Sequence, residues 1–164
     1  MHCQKGFNYL FEALVGTPYK KVRMVCAGDP NHPDFIRPYK DKLNLEHYHI
    51  YTPFDKALSL LSECEIIVIP SINHSSGMFG SSGSIRTAIT SGRPVICTTA
   101  THFEEFHNEM PKALTKNVLD LKDKIVNLMG NEQKQNEIIE KLKQYQEEHA
   151  IGKFVENYNK IVGV

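Results

Sequence analysis

The sequence lacks an excess of charge of either sign, because 19 lysines and arginines balance 19 aspartates and glutamates. It also lacks a basic run, which argues against nucleic acid and anionic membranes as partners. No apolar run is long enough to span a bilayer, and the N-terminal segment MHCQKGFNYLFEAL does not have the pattern of a signal peptide. We therefore expect a cytoplasmic protein without a transmembrane segment.

The cysteines are few and scattered. Cys3, Cys26, Cys64 and Cys97 show no C-x-x-C spacing. Cys26 and Cys97 lie within apolar strand patterns, where a reduced thiol packs as a small hydrophobic group. This pattern favours buried free thiols over a disulfide framework or a zinc site, and no cofactor is expected. The sequence has no internal repeat or linker, so the chain is interpreted as a single domain, residues 1–164.

The most informative stretch runs from residue 64 to residue 99. Two apolar runs, at residues 66–69 and 95–97, are typical of parallel strands that are buried on both faces. Between them a small-residue loop leads into a helical pattern at residues 85–89. The loop consists of Gly80, Ser81, Ser82, Gly83 and Ser84. A strand, a glycine-rich loop and a helix N-terminus present unpaired backbone N–H groups, so this stretch predicts an anion site, with phosphate as the commonest occupant.

Helical and strand patterns alternate along the rest of the chain. Apolar residues recur at helical spacing in residues 7–14 and 54–61, and again after residue 121. Strand patterns occur at residues 22–27, 47–51 and 65–69, with a brief one at 118–119. This alternation predicts the α/β class: a Rossmann-like, doubly wound parallel sheet in three layers, in a single domain with C-terminal helices.

The strand that ordinarily precedes the first helix of such a fold is not seen. In the expected strand order it would lie between the strands at residues 22–27 and 65–69. A gap there would leave backbone N–H and C=O groups unpaired, which is unfavourable in a buried sheet. We expect the two flanking strands to lie in one sheet with at most a remnant between them. The apolar surface that stays exposed then favours self-association or a partner chain.

Four motifs, in this order, resemble one known family. They are Lys5-Gly6 followed by Phe11-Glu12-Ala13, then MVCAGD, YHIYTPFDKALSLLSECEIIVIPS and AITSGRPVICT. Together they span nearly the whole chain and resemble the C-terminal, donor-binding domain of family 4 retaining glycosyltransferases, which have the two-Rossmann GT-B architecture. The resemblance implies a hexosyltransferase domain that binds a nucleotide diphosphate sugar and is incomplete without an acceptor domain.

The chain departs from the family pattern at a pair of glutamates that precede the G-R-P turn. Their places fall at or near Phe79 and on Thr87, so neither acid is present. In the family the second glutamate holds the nucleotide ribose, and the first lies near the donor sugar and its phosphates. The loop serines and Arg86 stand nearby instead, and hydroxyl and guanidinium groups donate well to phosphate oxygens. Diphosphate binding is thus expected to survive the change better than sugar positioning does.

The resemblance also implies which residues form the site. Lys5 would reach the diphosphate from the start of the first helix, and Tyr51, Thr52 and Thr87 would lie around the nucleotide. Arg86 is expected at the phosphate because a cation in the first turn of a helix opposes the helix dipole unless an anion is bound. The predicted diphosphate ligands are Lys5, Gly80, Ser81, Ser82, Gly83, Ser84 and Arg86. No catalytic base is assigned, and no metal ligand is expected.

These assignments have structural alternatives. Lys5 can be an exposed lysine near the terminus, and the serine loop can be a helix cap, although its three serines and two glycines exceed what a cap needs. Three histidines, His74, His102 and His107, lie near the same crevice. Their spacing is not that of a metal site, and they are interpreted as surface polar residues.

Three functions are compatible with these features. The first is a glycosyltransferase-like domain that binds a nucleotide diphosphate sugar donor. The second is a non-catalytic nucleotide-sugar-binding or interaction module, which the loss of both glutamates and of the acceptor domain favours. The third is a fragment of a two-Rossmann nucleotide-sugar epimerase, which would need acidic residues over the sugar that this chain does not place there.

Overall fold

The computed structural model describes residues 5–27, 36–49, 51–72, 83–106 and 109–150, together with residues 152, 153, 155 and 160. The strands are β1 (Lys21–Ala27), β2 (Asn44–His49), β3 (Ile67–Ile69), β4 (Val95–Thr98) and β5 (Lys112–Ala113). The α-helices are α1 (Phe7–Val15), α2 (Phe54–Ser62), α3 (Gly83–Thr90), α4 (Val118–Leu128) and α5 (Glu132–Glu148). Two short 3-10 helices span Arg37–Tyr39 and Thr101–Phe106. No described helix has both the length and the apolar character that a membrane span requires.

All described strand pairs are parallel. β1 pairs with β2, starting at Lys21 opposite Asn44. β3 pairs with β4, and β4 pairs with β5, so these three strands form a second sheet in the order β3-β4-β5. The α-helix α3 connects β3 with β4, and the two 3-10 helices lie in the connections between β1 and β2 and between β4 and β5. Parallel neighbours need such crossover connections, because a tight hairpin joins only antiparallel strands. This arrangement confirms the predicted α/β class.

Helices cover both faces of the three-stranded sheet. All four residues of β4 are buried. Ile96 belongs to one apolar cluster, whereas Val95 and Cys97 belong to another. Because successive side chains of a strand point to opposite faces, the two clusters lie on opposite sides of β4. The molecule therefore has three layers, as the uninterrupted apolar runs predicted.

The two clusters assign the helices to their layers. The first cluster draws its helical members from α1 and α4: Leu10, Phe11, Ala13, Leu14, Leu121, Ile125 and Leu128. The second draws them from α3 and α5: Ile85, Ala88, Ile89, Leu142 and Tyr145. The first cluster also contains Met24 of β1 and Ile96 of β4. One apolar layer is thus shared by both sheets.

The expectation that the strands at residues 22–27 and 65–69 lie in one sheet is wrong for the residues described. β1 hydrogen-bonds only with β2, and β3 only with β4, within the described part of the chain. Residues 1–4 lie outside the described residues. The two sheets are joined instead by packing, because residues of both contact the same apolar cluster. These residues are Val22 and Met24 of β1, Val68 of β3, and Ile66 just before β3.

Two predicted strands also differ from the structure. The strand expected at residues 47–51 is β2, which begins at Asn44 because its parallel pairing starts opposite Lys21, and Tyr51 lies in a turn. The brief strand expected at residues 118–119 is the first turn of α4. Asn117 accepts a hydrogen bond from the backbone N–H of Asp120 at 3.0 Å, and this cap commits the segment to a helix.

Arg23 fastens the two-stranded sheet to α2. Its side chain is 14% exposed and contacts Glu46 of β2 at 2.9 Å and Glu63, after α2, at 2.8 Å. It also donates to the carbonyl oxygen of Leu60 at 2.9 Å. The hydrogen bonds to the two carboxylates raise the pKa of Arg23 above its ordinary value. These three hydrogen bonds offset the cost of removing the charged group from water.

Candidate functional site

The candidate site lies where the carboxyl ends of β3 and β4 meet. Because these strands are parallel, the residues that follow them emerge at the same edge of the sheet. Thr98, the last residue of β4, donates a hydrogen bond from its hydroxyl to the carbonyl oxygen of Ser71, just beyond β3. Both residues are buried, at 3% and 4% exposure. The two strand ends are therefore held together by a buried polar contact, which makes this edge a fixed platform.

The end of β5 joins the same platform. Thr99 accepts a hydrogen bond through its hydroxyl oxygen from the backbone N–H of Thr115 at 3.2 Å. The backbone N–H of Thr99 also bonds to the carbonyl oxygen of Ala113, the last residue of β5, at 2.8 Å. The segment that follows β4 is consequently restrained from both neighbouring strands.

Gly6 brings the start of α1 into direct contact with this edge. Gly6 is buried, precedes the first residue of α1 and has a φ of 67°, in the left-handed region that favours glycine. A Cβ atom at this position would overlap the carbonyl oxygen of Pro70 and lie 2.8 Å from its carbonyl carbon. The Lys5-Gly6 motif thus places the N-terminus of α1 against the end of β3, with Lys5 exposed beside it.

His102 comes to the same edge from β4. It lies in the 3-10 helix Thr101–Phe106, which is anchored by the fully buried rings of Phe103 and Phe106. Its ring is partly buried and stands edge-on to Phe103, with the centroids 4.1 Å apart. Burial, and then the positive charge of Lys5, lower the pKa of His102. The structure thus brings together Lys5 and His102, although the sequence pattern had indicated only a surface polar role for His102.

The N-terminus of α3 completes the edge. α3 follows β3 in the chain and begins at Gly83, so its first backbone N–H groups lie on the side where β3 ends. Gly83 and Ser84 are exposed there. Thr87, one of the residues expected around the nucleotide, donates its hydroxyl to the carbonyl oxygen of Gly83 at 3.1 Å. The loop positions and histidines of the sequence analysis that lie outside the described residues are His74, Phe79, Gly80, Ser81, Ser82 and His107.

Arg86 has an anionic partner within the chain. Its guanidinium contacts both carboxylate oxygens of Glu105 at 3.1 Å and lies 5.9 Å from the centre of the Phe106 ring. The sequence argument required an anion near a cation in the first turn of a helix, and Glu105 supplies one. This partner could not be found from local spacing, because Glu105 lies on a separate segment that follows β4.

Two of the three predicted nucleotide residues, Tyr51 and Thr52, lie at the other sheet. Tyr51 and Thr52 follow β2, and the side chain of Tyr51 is 85% exposed whereas Thr52 is partly buried. An exposed aromatic ring next to a strand end is a suitable surface for a planar base. Within the site residues that the structure describes, Lys5, Gly83, Ser84 and Thr87 thus belong to the β3–β4 edge, whereas Tyr51 and Thr52 belong to the end of β2.

The sequence matches a known family over most of its length. Residues 1–131 match the family described as Glycosyl transferases group 1. No curated protein sequence is significantly similar to the chain.

Solved structures with the same fold include HepE of Anabaena and a sucrose-phosphate synthase. HepE (Alr3699) of Anabaena in complex with UDP superposes with a TM-score of 0.74 at 14% identity, over 98% of this chain and 46% of that one. HepE in complex with UDP-glucose gives a TM-score of 0.73 at 14% identity, over 99% of this chain and 46% of that one. Sucrose-phosphate synthase of Thermosynechococcus elongatus gives 0.64 at 14% identity, over 98% and 43%.

These matches establish the fold and the extent of the similarity. At this level of identity the likeness confirms the predicted Rossmann-like fold and nothing finer. The chain spans less than half the length of the solved structures it matches.

Proposed function

Because the chain belongs to the glycosyl transferases group 1 family, we propose that residues 1–164 form its nucleotide-sugar-binding domain. In this proposal it is the donor-binding half of a retaining, family 4-like enzyme with the GT-B architecture. The observation that carries the proposal is the meeting of three phosphate-binding features at one edge. Gly6, before α1, lies against Pro70 at the end of β3 with Lys5 beside it, and α3 begins on the same side.

The chemistry proposed for this edge is binding of the donor diphosphate. Lys5 supplies a positive charge, and the first N–H groups of α3 supply hydrogen-bond donors aligned with the helix dipole. The hydroxyls of the loop before α3 add further donors. Such groups stabilise the charge that develops on a departing diphosphate, which is what retaining transfer needs from this domain. The proposed diphosphate ligands are Lys5, Gly80, Ser81, Ser82, Gly83, Ser84 and Arg86.

Arg86 can bind the diphosphate only if it gives up its present partner. Its guanidinium is paired with Glu105 in the structure, so a phosphate group must replace that carboxylate. The exchange is chemically reasonable, because carboxylate and phosphate present similar acceptor pairs to a guanidinium. Tyr51, Thr52 and Thr87 are proposed to surround the nucleoside. UDP is the first nucleotide to test, because the structural relative HepE was crystallised with UDP and with UDP-glucose.

The binding proposal is tested by calorimetry with UDP and uridine. UDP should bind more tightly than uridine, since the site is assigned to the diphosphate. Lys5→Ala should weaken UDP binding by about 1.5–3 kcal/mol, the usual range for a hydrogen bond to a charged group. Lys143→Ala is the matched control, because Lys143 is an exposed lysine of α5 that pairs with Glu140 at 2.7 Å. Equal affinities for UDP and uridine would refute the proposal.

The exchange at Arg86 has its own test. Arg86→Ala should weaken UDP binding by about 1.5–3 kcal/mol. Glu105→Gln should strengthen it, because the competing carboxylate is removed while the side-chain shape is kept. If Glu105→Gln leaves the affinity unchanged and Arg86→Ala does not lower it, Arg86 serves only to join α3 to the segment after β4.

We further propose that transfer requires a partner for this domain. A lone donor domain presents an open face, whereas transfer needs donor and acceptor in one cleft that excludes water. The purified 164-residue chain should therefore bind UDP-glucose but transfer no glucose, with at most slow hydrolysis. The partner is an acceptor domain or a second copy of the chain, and Phe54 and Leu119, 58% and 71% exposed, are candidate contact residues. Efficient turnover by the chain alone would contradict this requirement.

One observation favours a second candidate, a non-catalytic nucleotide-sugar-binding module. Thr87 stands where the family has its ribose-binding glutamate, and its hydroxyl is engaged with the carbonyl of Gly83. A short hydroxyl that is already engaged cannot replace a carboxylate, which has two acceptor oxygens, in holding the ribose. If Thr87→Glu tightens UDP-glucose binding without enabling hydrolysis or transfer in the presence of an acceptor domain, the module is the better description.

A further inference from the structure

We propose that His102 is an additional ligand of the diphosphate and takes up a proton when the anion binds, so that donor affinity rises as the pH falls. The inference rests on the proposed function, because it names a further residue of the same site and a consequence for its regulation. The ligand set predicted from the sequence does not include His102.

The position of His102 carries the proposal. Gly6 contacts the end of β3 at Pro70, and the next residue, Ser71, accepts the hydroxyl of Thr98 at the end of β4. His102 follows β4 by one short turn, in which the backbone N–H of Phe103 bonds to the carbonyl of Ala100 at 2.9 Å. Lys5 and His102 therefore approach the same edge from two different elements, one at the start of α1 and one after β4.

The imidazole is held rather than free to swing away. The segment is pinned by Phe103 and Phe106, both with 0% exposure, and the His102 ring packs edge-on against Phe103 at 4.1 Å. Lys112 of β5 donates to the carbonyl of Phe103 at 2.8 Å, which fixes the backbone beside His102. A side chain restrained in this way loses little conformational freedom when it binds a ligand.

The charges around His102 leave it without an anionic partner in the described part of the chain. Besides burial, the only group there that acts on its pKa is Lys5, whose like charge disfavours the protonated ring. Charged side chains on the elements next to this segment have other partners. Lys112 of β5 contacts the Phe103 carbonyl, and Arg86 of α3 contacts Glu105. Glu104, on the same segment, is exposed. Two potentially positive groups placed together thus form a binding position for an anion.

The direction of the pH effect follows from linkage. In the free protein burial and Lys5 lower the pKa of His102, so the ring is neutral at neutral pH. A bound diphosphate offsets the charge of Lys5 and adds negative charge, which raises the pKa of His102 in the complex. Binding is then tightest below the pKa of the free form and weakens as the pH rises through the pKa of the complex. A pKa difference of about one unit corresponds to about a tenfold change in affinity.

The experiment is isothermal titration calorimetry with UDP-glucose from about pH 5 to pH 8, the range in which histidine titrates. UDP-glucose is chosen over UDP because its phosphates are both esterified and lack the second ionisation near pH 6 that a terminal phosphate has. The wild-type affinity should rise by about tenfold toward acid pH. Repeating the titration in buffers of different ionisation enthalpy should show net proton uptake on binding.

Two variants test whether His102 causes the pH dependence and the proton uptake. His102→Gln keeps a hydrogen-bonding side chain that cannot be protonated, so its affinity should be lower at acid pH, nearly independent of pH, and accompanied by less proton uptake. His149→Gln is the control, because His149 is an exposed histidine at the end of α5, stacked on Tyr145 at 4.0 Å. It should retain the wild-type pH profile. Circular dichroism checks that both variants are folded.

The outcomes separate this inference from the proposed function. If the wild-type protein binds UDP-glucose but takes up no proton, His102 has no titrating role and the inference is overturned while the proposed function stands. The same holds if His102→Gln keeps the wild-type slope and proton uptake. If UDP-glucose does not bind at any pH, both are overturned together. The proton uptake of the wild-type protein decides the question even if His102→Gln does not fold.

Discussion

Replacing Gly6 with alanine perturbs the contact that joins α1 to the candidate site. Two effects add in this variant. The left-handed φ of 67° costs a residue with a Cβ atom about 1–2 kcal/mol. The new Cβ atom would also overlap the Pro70 carbonyl, whose carbon lies only 2.8 Å away. Because both clashing atoms belong to backbone, the segment must move, and such overpacking costs about 1–3 kcal/mol. We expect Gly6→Ala to lower the free energy of unfolding by about 2–5 kcal/mol.

Gly92→Ala is the matched control for this variant. Gly92 has a φ of 70°, nearly the same as Gly6, but a Cβ atom added there has no atom within 4 Å in the described part of the chain. Gly92→Ala should lower the free energy of unfolding only by the cost of the left-handed backbone conformation, about 1–2 kcal/mol. The difference between the two variants isolates the contact with Pro70. Urea unfolding followed by circular dichroism measures both free energies.

The contact also predicts a functional result. Since Gly6 positions Lys5 at the end of β3, Gly6→Ala should weaken UDP binding, whereas Gly92→Ala should not. Equal losses of stability in the two variants, together with unchanged UDP affinity in Gly6→Ala, would refute the reasoning that Gly6 places the start of α1 at the site.

Three further predictions concern stability and reactivity. Phe11 of α1 is fully buried, so Phe11→Ala should lower the free energy of unfolding in urea by about 3–5 kcal/mol. A loss below about 1 kcal/mol would contradict the packing described. Burial raises the pKa of Cys97 to about 12, so iodoacetamide at neutral pH should label Cys97 far more slowly than the half-buried Cys64; equal labelling would count against a buried thiol. Hydrogen bonds from Arg23 and then Lys21 lower the pKa of Glu46, so its stabilising effect is present above the ordinary carboxyl pKa and is lost as the pH falls through the lowered value. Glu46→Gln should therefore flatten the acid side of the stability profile, and an unchanged profile would show that the pair does not couple to folding.

Much of the fold follows from local patterns. The apolar run that contains β3 and the G-R-P turn before β4 mark buried strands, because only a strand covered on both faces is apolar at every position. Helical spacing places α1 and α2 within one residue of their observed ends. These features depend on neighbouring residues, so a single sequence contains the information needed to predict them.

The patterns were less informative where a segment is short or where pairing decides its extent. The start of β2 is set by its partner, Lys21 of β1, and no alternation marks Asn44 as a strand residue. Val118 and Leu119 are compatible with a strand by composition, but the cap from Asn117 makes them helical. Short apolar pairs do not distinguish the two states, because a period cannot be read from two residues.

The sequence alone also supplied the parts of the candidate site, which are a lysine-glycine start to one helix and a small-residue loop before another. Only the tertiary structure decided how these parts combine. It placed Gly6 against Pro70, paired Arg86 with Glu105, brought His102 to Lys5 and divided the described strands between two sheets. The physical reason is that periodicity and residue type report the environment of each side chain, whereas the partner of a charge or of a strand edge depends on contacts between segments distant in the chain.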